Sequence, residues 1–261
     1  MRKRKRKSAG RAVYVAMVLT FLYLPVMMVV LFSFNPSKNA GVMTGFTLEW
    51  YAKLFSNAEI AQTLRNSLKL AALSIGTAAV IGTLGAVALA GRRMRFQGFM
   101  EGLASLPVMI PEIVIGMAFL AAFSFVGLRL GMFTMYLAHT TFCLPYIFLL
   151  VKSRLASIDP QLEEAARDLG ARPARVFFTV TLPLVLPAVA AGMLLAFAMS
   201  LDDVIISYFV TGPGAQTLPL KVYSSLKVGM TPEINALCTV TLGVVLLSVL
   251  IAQRIRGAKS S

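Results

Sequence analysis

The stretch AVYVAMVLTFLYLPVMMVVLFSF occupies residues 12–34 and contains no charged side chain. A helix of 23 residues, rising ~1.5 Å per residue, is long enough to cross the ~30 Å hydrocarbon core of a bilayer. Basic residues precede it, as they do in a secretory signal peptide, but the apolar region of such a peptide has only about 7–15 residues and ends at a small-residue cleavage site. This run instead exits through Ser33-Phe34-Asn35-Pro36. We therefore interpret it as an uncleaved membrane-spanning helix.

The rest of the chain continues this pattern. Apolar residues make up 57% of the 261 residues, charged residues make up 14%, and the mean hydropathy is +0.77. A soluble domain would carry about 25% charged residues. The apolar runs of spanning length lie at residues 12–34, 67–90, 103–125, 132–151, 183–206 and 235–253. We predict an all-α integral membrane protein in which residues 1–261 form a single transmembrane domain with six helical spans.

The basic residues give the orientation of these spans. Of the 25 Lys and Arg residues, 18 lie before the first span, between spans two and three, between spans four and five, or after the last span. Basic residues concentrate in cytoplasmic segments, so both termini are predicted to be cytoplasmic. The net charge of +14 could also suggest a nucleic-acid partner. Because the bases flank apolar runs instead of covering a soluble fold, we expect no nucleic-acid binding.

Two of the predicted spans carry a small residue at every fourth position. Such stripes let helix backbones approach closely in lipid, and we interpret them as packing surfaces. The stripes consist of Ser74, Ala78, Gly82, Ala86 and Ala90 in the second span, and of Ala188, Gly192, Ala196 and Ser200 in the fifth.

The cytoplasmic segment 152–182, between spans four and five, predicts two short helices. Asp159-Pro160 is a typical helix start, because an aspartate caps and a proline fits the first turn. The sequence Glu-Glu-Ala-Ala-Arg-Asp-Leu-Gly at 163–170 ends in a glycine, which tolerates the left-handed conformation that closes many helices. Arg172-Pro173 then starts a second helix that runs into the membrane. The pattern predicts a helix–turn–helix that lies outside the bilayer and offers a docking surface.

This segment resembles the EAA loop of bacterial ATP-binding cassette (ABC) importer permeases. The matching residues are Glu164-Ala165-Ala166, Gly170 four residues later, and Val180-x-Leu182-Pro183, where Val180 replaces the more common isoleucine. The resemblance implies a type I importer permease fold, in which this loop forms the coupling helix that docks on a separate ATPase subunit. The residues that it assigns to ATPase coupling are Glu164, Ala165, Ala166, Asp168 and Gly170.

Further motifs are similar to the polyamine branch of that family, namely to the second permease subunit of putrescine or spermidine uptake systems. These motifs are Ser200-Leu-Asp-Asp-Val204, Thr211-Gly-Pro-Gly-Ala215, Thr217-Leu-Pro219 and Pro232-Glu-Ile-Asn-Ala236. The resemblance implies a multi-pass protein of the bacterial inner membrane, in contact with lipid. It also implies three protein partners: the ABC ATPase subunit, a second homologous permease subunit and a periplasmic solute-binding protein. Another small cationic or opine-like solute, or a secondary cation transporter, remains an alternative.

Nothing in the sequence predicts catalysis. No Gly-Lys dipeptide occurs, so a phosphate-binding P-loop is excluded, and ATP is expected to bind on the partner subunit. We expect this chain to hold no cofactor and no metal, and to have no catalytic residue. The single histidine, His139, lies in the fourth span and is interpreted as a hydrogen-bonded interior residue.

Acidic residues inside the apolar runs are the candidate substrate contacts. Glu112 lies midway in the third span, and Asp202 and Asp203 lie in the outer part of the fifth. A carboxylate at the centre of a bilayer costs about 2.5–3.5 kcal/mol, so such residues usually face a bundle interior or a water-filled path. On a continuous helix Asp203 shares a face with Ser200 and Ser207, which favours it over Asp202 for the pore side.

A diamine needs acceptor oxygens and aromatic faces along its route, and Tyr208 could provide such a face. We therefore predict a substrate path that contains Glu112, Asp202, Asp203 and Tyr208. An alternative is that Asp202 and Asp203 bond free backbone amides where the fifth span breaks near Gly212-Pro213. The loop from Thr211 to Pro232 is the predicted receiving surface for the solute-binding protein.

Overall fold

A computed structural model describes residues 2–37, 42–90, 96–229 and 231–258, and all regular secondary structure in these residues is helical. Arg92, Arg93, Arg95 and Lys259, which contribute to the topology prediction, lie outside them. A π-helical turn, Phe177–Thr181, separates α8 from α9. The helices in chain order are α1 (Arg2–Phe32), α2 (Glu49–Ser56), α3 (Ala58–Ala90), α4 (Gln97–Met109), α5 (Glu112–Val126), α6 (Met132–Leu155), α7 (Gln161–Asp168), α8 (Pro173–Val176), α9 (Leu182–Asp202), α10 (Ile205–Val210), α11 (Leu218–Val228) and α12 (Pro232–Ala258).

Four helical segments in the described residues are long and apolar enough to cross a membrane, and a fifth span results if α4 and α5 count as one. The four are Val13–Phe32, Ala58–Ala90, Met132–Leu155 and Pro173–Asp202. They contain the second and fourth predicted spans and most of the first and the fifth. The sixth, residues 235–253, falls within α12 and stays a prediction. The chain is therefore a helical protein with several membrane-spanning segments.

The third predicted span is not one straight helix. Residues 103–125 were expected to form a single helix with Glu112 at its middle, but α4 and α5 meet at an angle of 109° around Ile110 and Pro111. Proline lacks a backbone N–H and disfavours helical geometry in the residue before it, and Ile110 is indeed extended, with ψ 134°. The expectation for Glu112 was wrong, because this residue begins α5.

The structure contains two compact units. The first consists of residues 1–61 and 222–261, and the second of residues 62–221. In the first unit α12 packs against α1 and α2. The chain leaving α1 is fixed by polar contacts: the Trp50 Nε1–H donates to the Asn35 carbonyl (2.7 Å), and the hydroxyls of Ser33 and Tyr51 lie 2.6 Å apart. These contacts hold α2 against the end of α1.

In the second unit α6 lies between α3 and α9, and Ile147 of α6 packs closely against a glycine of each. A Cβ atom added to Gly192 of α9 would lie 2.9 Å from the Ile147 Cα, and one added to Gly82 of α3 would lie 3.5 Å from its Cβ. The stripe residues Ser74, Ala78, Ala86 and Ala196 are fully or almost fully buried. The prediction that these stripes are packing surfaces is confirmed for these positions, whereas Ala90 is exposed and Ala188 is half-buried.

Candidate functional site

The predicted coupling segment forms an exposed helix whose two ends are fixed by local hydrogen bonds. The Asp159 Oδ1 accepts from the Gln161 backbone N–H at 3.0 Å and so caps the start of α7. At the other end Gly170 has φ +80°, its N–H donates to the Arg167 carbonyl (2.8 Å), and the Ala171 N–H donates to the Ala166 carbonyl (3.1 Å). This pair of bonds is a Schellman motif. The helix boundaries expected from the sequence are confirmed.

Most side chains that resemble the EAA motif lie on the surface of this helix. Glu164, Ala165 and Asp168 are exposed, as is Gly170, and Ala166 is half-buried; within residues 161–168 no residue is buried. Two apolar side chains that the sequence analysis did not single out are also exposed: Leu162 (48%) and Leu169 (89%).

The next feature is a buried polar cluster at the end of α9. The His139 ring on α6 hydrogen-bonds through Nδ1 to the Ser200 Oγ (2.9 Å) and through Nε2 to the Ser207 Oγ (3.0 Å). His139 and Ser207 are fully buried, Ser200 is 5% exposed and Asp203 is 6% exposed. The interpretation of His139 as a hydrogen-bonded interior residue is confirmed.

Asp203 belongs to the same cluster and interrupts the helix. Its Oδ1 accepts from the Ile206 backbone N–H (3.1 Å), and its Oδ2 accepts from the Ser207 backbone N–H (2.8 Å) and the Ser207 hydroxyl (2.7 Å). These are the bonds with which a capping aspartate starts a helix, and α10 begins at Ile205. The fifth span was predicted as continuous to residue 206, with a break near Gly212. This prediction was wrong, because the α-helix ends at Asp202 and Asp203 is extended (ψ 123°).

The other predicted path residues lie around this break. Asp202, at the end of α9, is exposed, and Tyr208, on α10, is 52% exposed. Glu112, in the first turn of α5, is half-buried and lies within electrostatic range of Asp202 and Asp203. The close packing of α5 on α10 brings these residues together. A Cβ on Gly116 would lie 2.6 Å from the Phe209 ring and 3.4 Å from the Ile206 Cα.

One aromatic residue near Glu112 was missed. Tyr146 on α6 packs edge-to-face against Phe142 with ring centroids 5.8 Å apart, and Phe142 packs in the same way against His139 at 6.2 Å. Tyr146 is half-buried and lies within electrostatic range of Glu112. The spacing His139, Phe142, Tyr146 places all three on one face of a helix. This periodicity could have indicated Tyr146 as soon as His139 was considered.

The loop that follows α10 is held by α3. The Asn66 side-chain amide donates to the Gly214 and Gln216 carbonyls, both at 3.0 Å, and the Leu218 N–H donates to the Ser67 Oγ at 2.8 Å. A Cβ on Gly212 would lie 2.0 Å from the Leu130 carbonyl oxygen. The predicted receiving surface therefore begins as a closely fixed loop and continues as helix α11.

A family model described as "Binding-protein-dependent transport system inner membrane component" matches residues 78–258, which is more than half of the chain. The chain belongs to that family. The match includes the α7 helix, the Gly170 closure, the His139 cluster and the residues around the Asp203 break. Members of the family are inner membrane components of transport systems. We therefore interpret this chain, called the transport component below, as a permease.

Relatives of this transport component include two Escherichia coli (strain K12) proteins. The putrescine transport system permease protein PotI is 43% identical over 248 residues, which are 92% of this chain and 88% of PotI. The spermidine/putrescine transport system permease protein PotC is 40% identical over 250 residues, which are 96% of this chain and 95% of PotC. The likeness therefore extends over nearly the whole length of each protein.

Two solved structures show the same fold. A bacterial ABC transporter involved in the import of the acidic polysaccharide alginate aligns with a TM-score of 0.74 at 16% identity, over 97% of this chain and 98% of that chain. A structure of the bacterial alginate ABC transporter in complex with its alginate pentasaccharide-bound periplasmic protein aligns with a TM-score of 0.70 at 18% identity, over 95% and 93%. The transport component thus has the fold of an ABC importer permease.

Proposed function

We propose that this protein is a permease subunit of an ATP-driven importer that carries putrescine or spermidine across the bacterial inner membrane. The observation that carries the proposal is the 40–43% identity to PotI and PotC over almost the full chain. The exposed α7 helix, with the EAA residues on its surface, supports the ATP-driven mechanism. In this proposal residues 1–261 form one permease domain with six spans and cytoplasmic termini.

In this proposal three other proteins complete the importer. A separate ABC ATPase binds ATP and docks on the coupling segment 152–182 through Glu164, Ala165, Ala166, Asp168 and Gly170. A second, homologous permease provides the other half of the path, and a periplasmic solute-binding protein delivers the solute. Residues 13–28 of α1 are largely apolar, and all of them are exposed within this chain. This exposure supports contact with lipid.

The proposed solute path contains Glu112, Asp202, Asp203 and Tyr208. A polyamine carries two or more ammonium groups, so carboxylates and an aromatic face provide complementary contacts. Asp202 and Tyr208 are exposed, and Glu112 is half-buried, so these groups are available to a passing cation. Asp203 is buried and accepts three hydrogen bonds, and in this proposal it also fixes the backbone that holds Asp202 and Tyr208 in place.

Uptake of labelled solute tests the proposal. A strain without its own polyamine importers, supplied with this chain and with an ABC ATPase, a second permease and a binding protein from the same organism, is expected to accumulate putrescine or spermidine. Omitting this chain alone should abolish the accumulation. An assembled complex that imports neither polyamine would reject the substrate. Purification of the chain without an ATPase would reject the ATP-driven mechanism.

A further inference from the structure

Among the described residues, one side-chain hydrogen bond connects the coupling helix α7 to the start of the long membrane helix α9. The Thr181 hydroxyl donates to the Glu163 Oε1 at 2.6 Å. Thr181 closes the π-helical turn directly before α9 and is 3% exposed, whereas Glu163 lies in the first turn of α7. The bond therefore bridges two elements that lie 18 residues apart in the sequence.

The environment of α7 makes this bond important for holding α7 against the rest of the chain. No residue of Gln161–Asp168 is buried, so apolar burial within this chain contributes little to holding the helix in place. Glu163 is oriented from its other side by Arg167, whose Nη2 lies 3.5 Å from the Glu163 Oε2. A carboxylate that accepts from a buried hydroxyl forms a stronger and more directional bond than a neutral pair does. The bond thus fixes the orientation of α7 relative to α9.

The π-helical turn explains how Thr181 reaches Glu163. The Leu182 N–H donates to the Phe177 carbonyl, which is a bond across five residues instead of four. Such a turn accommodates one extra residue, and one residue corresponds to a rotation of about 100° around a helix axis. π-Helical turns are frequent at functional sites. This turn places the Thr181 hydroxyl on the side of α9 that faces α7.

We infer that the Glu163–Thr181 hydrogen bond transmits displacement of the coupling helix to α9, and that both side chains are positioning residues for transport. The inference rests on the proposed function, because it assumes that an ATPase moves α7. Neither residue needs to touch the ATPase or the solute. α9 ends at Asp202, so a displacement of its first turn reaches the Asp203 break as a movement of one continuous helix. Loss of the bond should separate ATP hydrolysis from solute movement.

The test compares transport with hydrolysis in the assembled complex. The full importer is reconstituted in vesicles with its binding protein, and imported putrescine and released phosphate are measured in the same sample. Thr181→Val removes the hydroxyl but keeps the size of the side chain. We expect the complex to assemble and to hydrolyse ATP, with the number of putrescine molecules imported per ATP reduced on the order of tenfold. Thr181→Ser, which keeps the hydroxyl, should restore the ratio.

Thr179→Val is the matched control. Thr179 lies in the same π-helical turn, is exposed, and bonds the Arg175 carbonyl four residues earlier at 2.7 Å, so its loss should leave the ratio unchanged. Glu163→Ala removes the acceptor at a half-exposed position and provides a second variant if Thr181→Val does not assemble. The double variant should be no worse than either single variant, because both remove the same bond.

The outcomes separate the two proposals. Suppose that the wild-type complex holds an ATPase and imports putrescine with ATP hydrolysis. If Thr181→Val or Glu163→Ala then imports as many putrescine molecules per ATP as the wild type, the inference is wrong and the proposed function stands. If the wild-type chain binds no ATPase, the proposed function itself is wrong. A reduced ratio in both variants, with a normal ratio in Thr179→Val and Thr181→Ser, would support the transmitting role of the bond.

Discussion

The His139 Nε2 atom lies 3.3 Å from the Asp203 Oδ2 atom, and neither side chain is more than 1% exposed. His139 belongs to α6, and Asp203 lies in the interruption between α9 and α10. Ser200 and Ser207, one on each side of this interruption, complete the cluster. Because a buried polar group is stable only when it is hydrogen-bonded, the four side chains depend on one another. The interruption of the membrane helix is therefore a fixed element of the fold.

Removing the histidine should destabilise the protein. His139→Ala removes the bond that His139 makes to the buried Ser200 hydroxyl and one partner of the buried Ser207, and a buried polar group left unsatisfied costs about 1–3 kcal/mol. We expect a clear drop in the midpoint of thermal unfolding in detergent. Thr141→Ala, on the same helix, is the control, because Thr141 is exposed and bonds the Leu137 carbonyl of its own helix. Equal midpoints for the two variants would contradict the role given to the cluster.

Neutralising the path acids should reduce uptake. For Glu112→Gln and Asp202→Asn we expect normal amounts of assembled complex and on the order of tenfold less putrescine uptake at low solute concentration, because a nearby opposite charge is lost. Glu49→Gln is the control, since Glu49 forms an exposed pair with Lys53 outside the predicted spans. If both variants transported normally at normal assembly, the proposed path would be rejected.

Asp203→Asn should behave differently from Asp202→Asn. The substitution replaces one of the two acceptor oxygens by an NH2 group, so Ile206 and Ser207 can no longer both donate to the side chain, and both stability and uptake should fall. Measuring thermal unfolding and uptake on the same preparation separates a defect of folding from a defect of transport. Unchanged uptake with normal assembly would remove Asp203 from the path, and unchanged stability would remove it from the support of the helix break.

The close approach at Ile147 gives a prediction about packing. Gly192→Ala places a Cβ 2.9 Å from the Ile147 Cα, and since backbone cannot move aside easily, we expect about 1–3 kcal/mol of destabilisation. Gly76→Ala on α3 is the matched control, because a Cβ there meets nothing within 4 Å and alanine favours helix. Thermal unfolding in detergent compares the two. A Gly192→Ala protein as stable as Gly76→Ala would contradict the packing of α9 on α6.

The closure of α7 should matter for ATPase binding. Gly170 has φ +80°, where a residue with a Cβ is disfavoured by about 1–2 kcal/mol, so Gly170→Ala should loosen the end of the coupling helix. We expect less ATPase to co-purify with this variant. Gly98→Ala is the control, since Gly98 lies in α4 and a Cβ there meets nothing within 4 Å. Unchanged recovery of the ATPase would mean that the Schellman motif does not shape the docking surface.

Local signals account for what the sequence predicted correctly. Asp159 and Gly170 are capping residues with a defined backbone geometry, so the ends of α7 were readable without knowledge of the fold. Long apolar runs predicted most of the spanning helices in the same way, because the length and hydropathy of a segment can be determined from its sequence without knowledge of tertiary contacts. The bend at Pro111 was not predicted, although a proline within an apolar run weakens the helix before it and so provided a local signal.

The interruption at Asp203 depends on tertiary contacts, and hydropathy alone predicted the wrong position for it. Residues around Asp203 are apolar enough to continue a helix, and only the position of His139 on another helix shows that the aspartate turns inward. The Glu163–Thr181 bond was hidden for a similar reason. It requires a π-helical turn, and no periodicity in the sequence indicates one extra residue in a helix.

If α7 lies in the cytoplasm and receives force from a separate ATPase, the side chain at position 164 is accessible from the cytoplasm alone, and cysteine labelling of Glu164→Cys tests this. In a chain with Cys143 and Cys238 replaced, a membrane-impermeant maleimide should modify this site in inverted vesicles and not in intact cells. Co-expressed ATPase should protect it. Phe55→Cys, an exposed position between the first two predicted spans, should show the opposite sidedness. Modification of Glu164→Cys from outside intact cells would contradict the account.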